Sequence, residues 1–240
     1  MPASPRLRRF ISLVIATLFM PRSFAAGTLL ILHPKGGALP FTQQGPFVTT
    51  ADGEVLCIDA KNALRSSDEG LTWKTFPLFA DQEKFVVSNE RALLRTREGV
   101  IISAWMNGAE RRQPAGWRWG DKTVSWRDFV LPMHTCRSTD DGRTWETPVK
   151  LSEPWCGCIH SLIQMRSGRV VLVGQEIIPQ WRHATVMFVS DDLGRTWQRG
   201  DMLDYGIGAH DHAGCIEGSV IERKDGSLYL LLRTESGWLW

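Results

Sequence analysis

The sequence predicts an all-β chain, a β-propeller of four-stranded antiparallel blades, and three observations carry that prediction. An eight-residue pattern with Ser, Asp, Gly, Thr and Trp at fixed offsets occurs at Ser66–Trp73 (SSDEGLTW), Ser138–Trp145 (STDDGRTW) and Ser190–Trp197 (SDDLGRTW). A turn ending in Gly and followed by an apolar strand occurs four times, at Gly53, Gly99, Gly168 and Gly226. The Trp-to-Trp spacings, 72 and 52 residues, fit a four-stranded unit repeated around a central channel.

Taken in order, the chain opens on Arg6, Arg8 and Arg9, an apolar run from Phe10 to Met20, and the small-residue site Ser23-Phe24-Ala25. This reads as a secretory signal peptide over residues 1–25. An uncleaved anchor would need about 20 apolar residues, more than the run supplies. Arg8-Arg9 also permits twin-arginine export. Cleavage removes four arginines and no acids, taking the formal charge from +2 to −2. A chain without net basic charge is a poor match for a nucleic-acid partner, whose phosphates call for clustered Lys and Arg. Residues 26–240 form one partial propeller domain, 43% of the whole chain being hydrophobic.

Each turn glycine follows one apolar run and precedes another, as a hairpin should: Pro46 to Thr50, Ala92 to Thr96, Ser161 to Met165 and Ser219 to Glu222 are the first strands. A third strand, such as Ala184 to Val189, leads into each box, and a fourth follows its Trp. In the box, Ser and Asp side chains bond the backbone of a tight turn, Gly supplies positive φ, and Trp packs beneath. From Gly99 to Asp140 is 41 residues, against 15 and 24 in the other two blades, so the second blade carries an insertion over Asn107 to Asp128. The sequence reaches Trp240 at the second strand of a fourth blade. The expectation is an N-terminal fragment, because a radial sheet closes only when its last blade meets its first. Closure by dimerisation is the alternative.

Antiparallel connectivity puts the boxes and the glycine turns at one end of the blades and the functional positions at the other. Counting back nine and eight residues from each turn glycine gives Gln44-Gly45, Glu90-Arg91, Ile159-His160 and Glu217-Gly218. Counting forward six to eight gives Asp59, Asn107, Glu176 and Arg233. Polar residues at equivalent places in every blade point to a binding site at the channel mouth. The insertion adds Arg111, Arg112, Trp117, Arg118, Trp119, Trp126 and Arg127, a rim or lid suited to an acidic sugar, or a loop packed on its own aromatics. His210, Asp211 and His212 precede the last inner strand and could supply a catalytic His or a ligand. Cys156, Cys158 and Cys215 approach the same mouth with His160. Their spacing matches no paired zinc motif, so no metal and no cofactor are expected, and a disulfide from Cys215 to Cys156 or Cys158 is.

The S-x-D-x-G-x-T-W boxes resemble the Asp-box (BNR) repeats of the sialidase (neuraminidase) superfamily, normally six-bladed propellers, and the likeness covers essentially the whole mature chain. It implies about three and a half of six blades. Glu217 through Arg233 is similar to the segment that supplies the glutamate partnering a catalytic Tyr and one arginine of a carboxylate-binding triad. By that resemblance Glu217 is the base, Arg233 binds the substrate carboxylate and Asp59 is the acid/base. Gln44, Glu90, Asn107, His160, Glu176, His210, Asp211, Trp117 and Arg118 complete a substrate-binding set. Two departures stand out. Gln44-Gly45-Pro46 replaces the family's first Arg-Ile-Pro, and the tyrosines, Tyr205 and Tyr229, fit neither catalytic role. The resemblance therefore implies an exported glycoside hydrolase, exo-acting on a terminal acidic or modified sugar, with this stretch inactive alone. The competing expectations are a non-catalytic propeller that binds glycan or protein, and a propeller glycosidase or lyase that uses His160 or His210.

Overall fold

The computed structural model describes residues 36–118, 123–205 and 214–234. The chain divides at Ala38. Of the first unit only residues 36–38 are described, and they are exposed; the second, Leu39–Trp240, holds every strand among the described residues.

Three four-stranded antiparallel sheets follow one another. The first comprises β1 (Val48–Thr49), β2 (Val55–Ile58), β3 (Asn62–Ser66) and β4 (Lys74–Pro77). The second comprises β5 (Val87–Arg95), β6 (Ile101–Asn107), β7 (Val130–Ser138) and β8 (Val149–Pro154). The third comprises β9 (Cys156–Gln164), β10 (Val170–Ile178), β11 (Arg182–Ser190) and β12 (Gln198–Leu203). The hairpin β13 (Cys215–Glu222) and β14 (Leu228–Thr234) begins a fourth blade. The first strands β1, β5, β9 and β13 pack beside one another, so they are the inner strands of a β-propeller. The last strands β4 and β12 are mostly exposed.

Alternation along the second strands builds a separate core on each side of a blade. In β6, Ile101 and Trp105 face the first blade with Leu56, Ile58 and Phe79, whereas Ile102, Ala104 and Met106 face the third. In β10, Val170 and Leu172 face the second blade, and Val171 and Val173 meet Val220 of the fourth. With apolar neighbours on both faces, β6 and β10 are buried along their whole length.

The three boxes connect third to fourth strands and have the same internal bonding. Ser66, Ser138 and Ser190 accept through Oγ from the box glycine N–H at 2.8 Å and donate to the box aspartate at 2.8 Å. Asp68, Asp140 and Asp192 accept from the Thr hydroxyl at 2.6 Å, and each Trp indole donates to its box glycine carbonyl. The backbone is left-handed at the box glycine and also at the residue before it, Glu69, Asp141 or Leu193, which the pattern does not announce.

This bonding shifts acidity. Hydrogen bonds from Thr72 and then Ser66 lower Asp68 to about 2. Partial burial acts to raise Asp192, but bonds from Thr196 and Ser190 outweigh it and hold the carboxyl at about 2. A carboxyl depressed in the folded state stabilises the fold fully above its unfolded value near 3.9, and that stabilisation is lost as pH falls towards 2. The thermal midpoint is therefore expected to drop between about pH 4 and about pH 2, and Asp68→Asn with Asp192→Asn to flatten that drop in melts followed by circular dichroism. An unchanged slope in the double variant would contradict it.

The expected disulfide does not form. All five cysteines are free and buried. Cys156 donates to the carbonyl of Cys158 at 3.4 Å, and Cys215 accepts from the Tyr205 N–H at 3.3 Å. Burial raises the Cys57 thiol to about 11 and the Cys156 thiol to about 12, so these groups serve as small apolar side chains.

Candidate functional site

The inner strands run further towards the channel mouth than the apolar pattern indicates, and three of them leave the ladder at the same place. Between the pairs Val87–Asn107 and Arg91–Trp105, β5 carries two more residues than β6. In β9, His160 is the extra residue between Ile159, opposite Gly174, and Ser161, opposite Val173. In β13, one extra residue lies between Ile216, opposite Arg233, and Ser219, opposite Leu231. Such bulges re-aim side chains, and here they fall on Glu90, His160 and Glu217, three of the positions found by counting back from the glycines. Glu217 itself has φ 55°, a left-handed conformation uncommon outside glycine.

Three groups of side chains result. Gln44, Asp59, Asn89 and Arg91 line a cleft of about 310 Å³ between the first two blades. Arg91 donates to the carbonyl of Gln44 at 3.3 Å, and burial lowers its pKa below the ordinary arginine value against the opposing pull of Cys57 and Asp59. Glu90, Cys158 and His160 converge between the second and third blades. In the fourth, Arg233 Nη1 donates to Glu217 Oε1 at 2.7 Å, and that bond raises the guanidinium above its ordinary value. The two are neighbours across the ladder, since Arg233 pairs with Ile216.

Gln175 is a residue that sequence reasoning missed. Its Oε1 accepts from the Glu217 N–H at 3.1 Å and its Nε2 lies 3.3 Å from His183 Nδ1, so it ties the Glu217 bulge to the third blade. Gly157 makes the room, because a Cβ there would lie 2.1 Å from Gln175 Nε2. A glutamine next to Glu176 in the otherwise apolar strand β10 was the available signal.

The insertion packs its aromatics against the third blade. Trp117 stacks on Trp181 at 5.9 Å and 9°, and Phe129 meets both edge-on at 4.9 Å. Arg111 lies 5.1 Å over the Trp155 ring. With Arg118, Gln113 and His183 these residues line a pocket of about 200 Å³. Trp181 is held there by left-handed backbone at Gln180 and at Trp181 itself, φ 68° and 65°, an unfavourable conformation for a bulky side chain. The rim and the self-packed loop are thus one object: Phe129 and Trp181 are buried while Arg118 stays exposed.

Two predicted binding residues are structural. Asn107 is fully buried: it accepts from the N–H groups of Val86 and Ala109 and donates to Lys84 and Glu110, which uses up its amide. Glu176 is 2% exposed, with Arg199 bidentate on it at 2.5 and 2.7 Å and Ser152 donating at 2.5 Å. Both lie where the second strand is still covered by its neighbours, so a polar residue there is matched internally. Asp59 lines the cleft but also closes the β2–β3 turn, accepting through Oδ1 from the N–H groups of Lys61 and Asn62 at 2.8 and 2.7 Å. The signal-peptide stretch, Trp119, His210, Asp211 and His212 lie outside the described residues.

Residues 113–240 match the profile of the BNR repeat-like domain. No curated protein matches the chain in sequence. Among solved structures, a protein of unknown function from Dyadobacter fermentans DSM 18053 is 19% identical with a TM-score of 0.54, over 78% of this chain and 60% of that one. The α-L-arabinofuranosidase of Fusarium graminearum, solved with an iminosugar inhibitor, is 14% identical with a TM-score of 0.51, over 78% of this chain and 54% of the enzyme. A sialidase from Streptococcus pneumoniae is 15% identical with a TM-score of 0.47, over 80% and 48%. The chain spans 60% or less of each of these.

Proposed function

From the premise that this chain belongs to the BNR repeat-like domain family, we propose that it carries part of the site of an exported glycoside hydrolase, exo-acting on a terminal sugar that bears an acidic group. The observation that carries the reading is the Glu217–Arg233 pair on adjacent strands at the channel mouth, 2.7 Å apart. A guanidinium offers a planar fork that matches a sugar carboxylate, and Glu217 holds that fork in place until the substrate arrives. Glu217, anchored through its backbone by Gln175, is then a base beside the bound sugar, and Asp59 is the carboxyl that faces the first cleft. Export is assigned to residues 1–25, whose basic start and apolar run suit a signal peptide.

A second reading is a propeller that binds acidic glycans without cleaving them. Its support is the Arg111, Arg118 and tryptophan pocket, together with Gln44 at a place where a cation would strengthen carboxylate binding. The two separate in one assay. The purified full-length protein is incubated with aryl glycosides of N-acetylneuraminic acid, glucuronic acid and arabinofuranose, with aglycone release and tryptophan fluorescence read in parallel. Release from one acidic glycoside is expected. Quenching without release assigns the binding role, and release from the neutral arabinoside alone overturns the acidic-sugar reading.

A further inference from the structure

We propose that Glu90, Cys158 and His160 form a binding site for one zinc-class divalent cation at the channel mouth. One ligand atom from each residue, a carboxylate oxygen, Sγ and a ring nitrogen, lies within 4.8 Å of the other two. A tetrahedral zinc with sulfur and nitrogen ligands needs them roughly 3.5 Å apart. Glu90 and His160 are exposed and can close that distance by rotamer change, whereas Cys158 is buried and fixed.

The placement follows from the fold. The β5 and β9 bulges bring Glu90 of the second blade to the two residues of the third, so the donors come from different strands and no short motif reveals them. Cys158 is available because it forms no disulfide, and Cys156 is turned away, bonded to the Cys158 carbonyl. The donor set of one thiolate, one imidazole and one carboxylate suits zinc or cobalt over calcium or magnesium. Two of the three ligands face solvent, so the fourth position is open to water or to a substrate oxygen, as in catalytic zinc sites. The site stands apart from the sugar reading and would hold for a binding propeller as well.

Titration of the zinc-free full-length protein with Co²⁺ tests it. One ion per chain is expected, with a thiolate-to-cobalt charge-transfer absorption in the near ultraviolet that excess Zn²⁺ abolishes. Cys158→Ser removes that absorption, Cys156→Ser retains it, and Glu90→Gln and His160→Ala each weaken cobalt binding at least tenfold. The exposed Glu90 and His160 variants read the site even where Cys158→Ser melts early. Absence of stoichiometric binding, absorption that survives Cys158→Ser, or affinity unchanged in both Glu90→Gln and His160→Ala overturns the proposal.

Discussion

Glu217→Gln is expected to lower turnover of the true substrate by about 10²- to 10⁴-fold, the range for loss of a positioned acid or base. The substitution keeps the shape of the side chain and the Gln175 bond to the backbone N–H, so the bulge at φ 55° is retained while the charge is lost. Arg233→Ala is expected to act differently. It removes the charge-assisted bond to the substrate as well as the 2.7 Å bond to Glu217, and raises KM about tenfold or more. Because the two side chains bond each other, the double variant falls short of the product of the single losses. Steady-state kinetics on the full-length protein decide the matter. Turnover equal to wild type in Glu217→Gln would remove Glu217 from the chemistry, and a KM unchanged in Arg233→Ala would remove the carboxylate clamp.

Gly142→Ala is expected to destabilise the protein by about 3 kcal/mol, against about 1–2 kcal/mol for Gly53→Ala. Both glycines are left-handed, at φ 80° and 84°, so both variants carry the backbone penalty of an L residue there. They differ in surroundings. A Cβ on Gly53 meets nothing within 4 Å, whereas a Cβ on Gly142 would lie 2.2 Å from Leu56 Cδ1, in the fully buried core of the preceding blade. The box of one blade therefore docks on the second strand of the blade before it. Gly194 does the same on Ile102, at 2.9 Å, whereas Gly70 of the first blade meets Phe41, in the segment before β1, at 2.1 Å. Denaturant unfolding measures the gap, and the Gly142→Ala loss should be smaller in a Leu56→Ala background than in the wild type, as a coupled pair gives. Equal losses at Gly53 and Gly142 would deny the docking.

The blade plan was legible in the sequence because its signals are local. The box closes through bonds spanning two to four residues, from Ser66 to Asp68 and Gly70 or from Asp68 to Thr72, so one segment contains every partner it needs. The turn glycines mark hairpins for the same reason, and counting from them reached Glu90, His160 and Glu217, where the bulges lie. The count treats every residue as one rung of the ladder. A bulge adds a residue without altering the apolar pattern, so the extended inner strands and the aim of their side chains were not readable.

Counting also treats all polar residues at a strand end alike. Asn107 and Glu176 were expected at the mouth, but the first is consumed by Val86, Lys84, Ala109 and Glu110, and the second by Ser152 and Arg199, 24 and 23 residues away. The cysteines show the same limit, since proximity at the mouth suggested a bridge while the structure leaves every thiol free and buried. The sequence by itself determined the order of strands, the three boxes and the glycine turns, because these rest on bonds between near neighbours. Only the tertiary structure decided that Gln175 holds Glu217, that Arg91 reaches Gln44, and that Glu90 meets Cys158 and His160, because each of those pairs is made where one blade packs against the next.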